Sequence, residues 1–179
     1  LKAQQEQLEY VAHYDALTRL PNRLLLADRL HQAMAQANRR QTRLVVAYLD
    51  LDGFKEVNDA HGHEVGDQLL TALASRLLDT LREVDTLARM GGDEFVAVLP
   101  DQIEAEASVP MLNRLLSATA QPIRIGNCVH QVSASLGVAI YPQNDEVDAD
   151  QLLRQADQAM YQAKVAGKNR YHFFDAEQD

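Results

Sequence analysis

Four acidic residues in this chain stand where apolar segments end. Asp50 and Asp52 close the run LVVAYLDLD, and Asp93 and Glu94 follow directly on Gly91-Gly92, between TLARM and FVAVL. Side chains alternate along a strand, so positions 50 and 52 point to one face, the first near the rim and the second beyond it. If the strand ending at Asp50 lies beside a hairpin at Gly91-Gly92, three or four carboxylates meet at one edge of a sheet. Like charges that close repel one another unless a cation lies among them. Oxygen ligands without His or Cys suit Mg²⁺, Mn²⁺ or Ca²⁺ rather than zinc. One Asp-x-Asp alone reads as a solvated strand end; two acidic clusters, one beside a Gly-Gly pair, point to a metal site. A hairpin tip without side chains also lets a ligand lie against the backbone, so phosphates could approach its N–H groups while the metal bridges them to the carboxylates.

Hydrophobic periodicity predicts the elements that must position these groups. Residues 1–14 read as a terminal or linker helix with Leu1, Leu8 and Val11 on one stripe. Asn22 is the expected N-cap of a helix over 23–39, whose buried face carries Leu26, Leu30, Met34 and Ala37. The apolar run at 44–50 predicts a buried strand. The segment GFKEVNDAHGHEVGD joins it to a helix in which Val65, Leu69, Leu73, Leu77 and Leu81 recur at every fourth position. Gly91-Gly92 is the expected two-residue hairpin turn, because both central positions of such turns call for positive φ. A helix over 104–120, a short strand IRI, a long strand HQVSASLGVAIYP, an acidic loop, a helix ending at Gly167 and a closing strand YHFF complete the chain. Interleaved strands and helices with one tight hairpin predict an α+β fold, an α/β sandwich. Its mixed sheet would have the antiparallel pair in the middle and helices covering it.

Composition bounds the partners. A length of 179 residues suits one domain with one core, and 46% apolar with 24% charged residues is globular usage. No apolar run reaches the length of a membrane span and no signal pattern is visible, so a soluble, cytoplasmic domain is expected. The net charge of −9 disfavours a nucleic-acid footprint. The single Cys128 excludes an internal disulfide. His61 and His63 lack the companions a zinc site needs and read as loop packing, and AGKN lacks the upstream glycine of a Walker A loop.

MGGDEF at 90–95 resembles the signature of the GGDEF domain, the family of diguanylate cyclases. DALTRLPNR at 15–23, LDLDGFKEVNDAHGHEVGD at 49–67 and ADQAMYQAKVAGKNR at 156–170 resemble further motifs of that family in the right order, over roughly residues 12–174. The resemblance implies a fold like the nucleotidyl cyclase core and polymerase palm. It implies a reaction in which two GTP become cyclic di-GMP and two pyrophosphates, one GTP on each protomer of a homodimer. It further implies Mg²⁺, with Mn²⁺ as the alternative, held by Asp50, Asp93, Glu94 and the Leu51 carbonyl. Glu94, Asp93 and Asp50 are then the catalytic acids, with Asp52 outside the ligand set. Asn58 and Asp67 would read guanine, and Gly91, Gly92 and the backbone of Phe54 and Lys55 would meet phosphates. Lys164 and Lys168, four apart, would share a helix face near its C-terminus. Unaided, that pair would only complement the helix dipole; the resemblance makes them the cations on the terminal phosphates. Arg82 and Asp85, on their own an exposed ion pair at a helix end, resemble the family's RxxD inhibitory site for cyclic di-GMP.

The same resemblance divides the chain into a linker helix (1–14), the cyclase domain (15–175) and a tail (176–179). It suggests an upstream sensor module, a downstream EAL phosphodiesterase domain and a membrane anchor elsewhere in a longer protein. The alternative function is a catalytically silent GTP- or cyclic di-GMP-binding module that controls a neighbouring domain.

Overall fold

The computed structural model describes residues 1–177; the expected tail at 176–179 lies partly outside them. Six α-helices and seven strands follow in the order α1 (Lys2–His13), α2 (Arg23–Arg40), β1 (Arg43–Asp52), α3 (Phe54–His61), α4 (His63–Thr80), β2 (Thr86–Gly91), β3 (Glu94–Gln102), α5 (Val109–Ala120), β4 (Ile123–Ile125), β5 (Cys128–His130), β6 (Ser133–Tyr141), α6 (Ala149–Val165) and β7 (Arg170–Phe173) among the described residues. The main sheet runs β2-β3-β1-β6-β7. β1 is antiparallel to both its neighbours, and among the described residues only β6 and β7 pair in parallel.

β1 holds the centre because it is apolar on both faces, as a strand covered from both sides must be. Val45, Ala47, Leu49 and Leu51 pack with Leu69, Leu73 and Leu77 of α4 and Leu112 and Leu115 of α5. Leu44, Val46 and Tyr48 pack with Leu26, Leu30 and Met34 of α2 and Leu152, Ala156 and Met160 of α6. The alternation carries on past the core, so Asp50 and Asp52 fall on the side of α2 and α6. Both helices start at side-chain caps. Asn22 accepts from the Leu25 N–H at 3.1 Å, and Asp148 forms a reciprocal capping box with Gln151. α6 ends as the sequence suggests, with Gly167 at φ 130° and the Lys168 N–H donating to the Ala163 carbonyl at 3.0 Å.

Five expectations are corrected. The segment after β1 is not a plain connection but helix α3, set off from α4 by Gly62 alone; with Phe54 its only buried residue it is too short to announce itself by periodicity. The hairpin turn is Gly92-Asp93 rather than Gly91-Gly92, because Gly91 pairs with Glu94. The β2–β3 hairpin lies at one end of the sheet, and β1 takes the middle. The long strand from His130 is broken: β5 turns away to pair with β4 in a separate two-stranded sheet, and β6 begins only at Ser133. The helix expected over 104–120 opens as a 3-10 turn, Ala105–Ser108, before α5. No residue of α1 is buried. No helix among the described residues is long and apolar enough to cross a membrane.

Candidate active site

Antiparallel pairing brings the acids together. In the register of β1 and β3, Asp50 stands opposite Glu94, and the Leu51 N–H donates to the Asp93 carbonyl at 3.3 Å across the hairpin end. Asp50 Oδ2 lies 3.2 Å from Lys164 Nζ of α6, while Asp50 Oδ1 is buried without any hydrogen-bond partner. Burial, then the Asp50 charge and a hydrogen bond with it, pushes the Asp93 carboxyl up to about 6. Burial, then Asp50 and Asp157, pushes Glu94 up as well, and burial with Asp50 does the same to Asp157. The Tyr48 hydroxyl donates to Glu94 Oε1 in a long bond of 3.4 Å. Burial and the Glu94 charge raise that hydroxyl to about 12, so it stays a donor at neutral pH. Glu94 therefore has a neighbour on β1 that its place beside the turn does not foretell.

A hard divalent cation fits this set. A buried carboxylate oxygen without a partner and two further carboxyls held above their ordinary range are what an added positive charge would relieve. Among the described residues no three His, Cys, Asp or Glu side chains converge as a finished metal cluster, and Lys164 supplies the positive charge beside Asp50.

The raised Asp93 carboxyl has a consequence for stability. A carboxyl whose folded value lies above its unfolded one costs stability as pH rises from its ordinary 3.8 through about 6. Asp93→Asn is thus expected to melt higher than the wild type, both stripped of metal, above about pH 7, with the gap closing near pH 4 where Asp93 is already neutral. Thermal melts in chelator at the two pH values check this; an equal gap at both would contradict it.

The expected base-reading residues meet at the elbow between α3 and α4. The Asn58 carboxamide lies against Gly66, where a Cβ would collide with Asn58 Oδ1, and that oxygen is buried without a partner. Asp67 is the next residue and is exposed in the first turns of α4. Gly53, at φ 88°, starts α3 without any side-chain cap, so the N–H groups of buried Phe54 and exposed Lys55 are left open at the helix start. Gly91 and Gly92 are exposed at φ 148° and 48°.

The lysines do not share a helix face. Lys164 is in the last turn of α6, but Lys168 lies past the helix end at φ 64°, exposed. Gly167 ends the helix one residue too early for the four-residue spacing to apply. Lys164 contacts Asp50 and Asp52, and these bonds outweigh the burial that would lower it and hold its ammonium above the ordinary range.

Arg82 and Asp85 differ from an exposed pair. The Asp85 carboxylate is wholly buried and accepts from the Arg82 backbone N–H at 2.8 Å and from its guanidinium at 2.8 and 3.2 Å; Arg82 also donates to the Pro100 carbonyl at 2.8 Å. A cleft of about 540 Å³ opens beside Asp85, lined as well by Arg29, Gln36 and Arg40 of α2. Removing the guanidinium in Arg82→Ala leaves a buried carboxylate short of donors and is expected to cost about 2 kcal/mol, seen as a lower denaturation midpoint. His61 and His63, expected in loop packing, instead end α3 and start α4; His61 packs edge-on against His130, ring centroids 4.7 Å apart, and His63 is exposed.

Sequence reasoning missed Arg89. Its Nε and Nη2 donate to the Gly92 carbonyl at 3.0 and 2.8 Å, and its Nη1 to both oxygens of Asp15 at 3.0 and 3.1 Å. Burial would raise Asp15, but bonds from Thr18 and Arg89 hold it below the ordinary carboxylate value. An arginine next to an exposed turn carries no periodic signal; only the fold brings Asp15 to it.

The chain belongs to the GGDEF family: the family described as "Diguanylate cyclase, GGDEF domain" matches residues 12–170. It is 45% identical over 175 residues to the bifunctional diguanylate cyclase/cyclic di-GMP phosphodiesterase MucR of Pseudomonas aeruginosa, covering 98% of this chain and 25% of that protein. It is 40% identical over 173 residues to the cyclic di-GMP phosphodiesterase PdeR of Escherichia coli, covering 97% of this chain and 26% of that protein. The chain thus spans about a quarter of the length of these two relatives. The solved GGDEF domain of TpbB from Pseudomonas aeruginosa superposes with a TM-score of 0.86 at 35% identity, over 91% of this chain and 95% of that one. The coiled coil and GGDEF domain of DgcB from Caulobacter crescentus, solved with c-di-GMP, superposes at 0.85 with 28% identity, over 96% and 91%. These likenesses connect the chain to cyclic di-GMP signalling.

Proposed function

We propose that this chain is a diguanylate cyclase domain that joins two GTP into cyclic di-GMP with release of two pyrophosphates, each of two protomers bringing one GTP. The observation that carries the reading is the cluster of Asp50, Asp93 and Glu94 at the β1–β3 end, with one partnerless buried oxygen and Lys164 beside it. Mg²⁺, or Mn²⁺ in its place, would be held by Asp50, Asp93, Glu94 and the Leu51 carbonyl, and would neutralise charge on the phosphates. Asn58 and Asp67 accept from guanine N1–H and N2–H₂, a donor pattern adenine lacks. The open N–H groups at Phe54 and Lys55 and the bare backbone of Gly91 and Gly92 meet phosphates, with Lys164 and Lys168 at the terminal ones. The 3′-oxygen of one GTP attacks the α-phosphorus of the other, the bond to pyrophosphate breaks, and Glu94 would take the hydroxyl proton or help hold the metal. Incubation with GTP and Mg²⁺ followed by mass analysis for cyclic di-GMP tests the reading. Asp67→Ala is expected to narrow the preference for GTP over ATP, from about a hundredfold or more to a few fold, in calorimetric affinities.

The second reading is a silent nucleotide-binding module beside another domain. It is supported by the phosphodiesterase name of PdeR and by the small share of that relative that the chain covers. GTP binding without product would select it. An upstream sensor and a downstream EAL domain belong to either reading. Inhibition by cyclic di-GMP at Arg82 and Asp85 is proposed with a changed geometry: Asp85 is occupied by Arg82, so the guanidinium and the adjoining cleft would meet the nucleotide. Titrating cyclic di-GMP against the wild type and Arg82→Ala tests it, equal binding to both being the contrary result.

A further inference from the structure

We propose that Asp52 is a positioning residue whose buried carboxylate sets the C-terminal turn of α6, and with it Lys164, at the far end of a nucleoside triphosphate's phosphate chain. The inference rests on the reading of this site as a GTP site.

The two carboxylates of the Asp-x-Asp pair do different work. Asp50 keeps a buried oxygen with no partner. Asp52, 7% exposed, has both oxygens engaged twice. Its Oδ1 accepts from Ser135 Oγ at 2.8 Å and Lys164 Nζ at 3.0 Å; its Oδ2 accepts from Ser133 Oγ at 2.7 Å and the Asn169 N–H at 3.1 Å. A carboxylate so saturated has little left to offer a metal, and charge-assisted bonds of this kind fix geometry. The partners come from two elements. Ser133 and Ser135 stand on β6, paired in register with Asp52 and Asp50. Lys164 and Asn169 bracket the turn that ends α6.

That turn is closed by bonds of its own, from the Lys168 N–H to the Ala163 carbonyl at 3.0 Å and from the Gly167 N–H to the Lys164 carbonyl at 3.3 Å, but its backbone is costly. Gly167, Lys168 and Asn169 follow one another at φ 130°, 64° and 51°, and non-glycine residues adopt the left-handed region at a cost. The bond from the Asn169 N–H to Asp52 ties the far side of the turn to the sheet, and the bond from Lys164 ties the near side. Lys168 lies between the two anchors, so Asp52 spans the turn that carries both cations, while Asp50 at 3.2 Å holds Lys164 as well. The base-reading residues stand apart from this hub, on α3 and α4, and depend on Gly66 instead.

The test is a calorimetric comparison of GTP and GMP, both with Mg²⁺, on the wild type and Asp52→Asn, with thermal melts of both proteins. Asp52→Asn is expected to lose about tenfold or more in affinity for GTP and to keep its affinity for GMP, which lacks the terminal phosphates. Ser135→Ala, which leaves the charge of Asp52 in place, is expected to show a smaller loss of the same pattern and carries the comparison if Asp52→Asn does not fold. Equal losses for GTP and GMP, or no loss for either, overturn the positioning role while leaving the site reading standing. A wild type that binds neither nucleotide overturns the site reading and the role of Asp52 with it.

Discussion

Glu94→Gln is expected to abolish cyclic di-GMP formation in a protein that still folds. The amide keeps the size of the side chain and an oxygen for the Tyr48 hydroxyl, so the local packing at the start of β3 survives. It removes the proton acceptor and one of three like charges beside the turn. Since burial and Asp50 already push the Glu94 carboxyl up, losing that charge costs the fold nothing. Loss of a group that acts on the reacting hydroxyl or on charge in the transition state costs about 10³-fold or more in rate. Product assays with the purified protein, beside a melt showing an unchanged or higher midpoint, check both halves. Turnover near the wild-type rate would remove Glu94 from the chemistry.

Gly137→Ala is expected to be strongly destabilising. α6 crosses β6 with its backbone directly on this residue, and an added Cβ would meet the backbone of Ala156, Ala159 and Met160 rather than a side chain that could turn aside. Overpacking of a well-filled core costs about 1–3 kcal/mol, and contact with rigid backbone belongs at the upper end. For a domain of this size that is a drop of roughly 6–12 °C in melting temperature. If α6 instead lifts away, Lys164 moves with it and GTP affinity falls together with stability. A melt within a degree or two of the wild type would show that the helix does not lie on the sheet in this way.

How far the site can be read from residues alone depends on whether a group is placed by neighbours in sequence or by pairing. The apolar run of β1, the cap at Asn22 and the acids at the strand ends are local signals, and they led to the meeting of Asp50 with Asp93 and Glu94. The α+β class followed from the same periodicities. The order of strands did not, because the position of the hairpin in the sheet depends on which edge each strand finds. Helix α3 was hidden because eight residues with one buried side chain leave no stripe to count. The hub around Asp52 joins residues 112 and 117 positions apart, and nothing in either segment marks the partnership. The shared face expected of Lys164 and Lys168 failed for a local reason, since Gly167 ends the helix between them.

The Arg89 clamp bears on how an outside signal could reach the chemistry. One guanidinium moors the Gly92 carbonyl at the hairpin tip to Asp15, two residues past the end of α1, and the Arg89 N–H is tied to the Pro21 carbonyl as well. No residue of α1 is buried, its C-terminal end is tied to Asn22 through the Ala12 and His13 carbonyls, and the strip of chain it leads into is braced against the very turn that bears Asp93. Torque applied along α1 would reach the acidic cluster through these bonds, which favour swinging the domain and cluster together, like a blade on its handle, over reshaping the cluster alone. If the proposed reaction between two protomers holds, control would pass through the angle between them while each acidic cluster stays built.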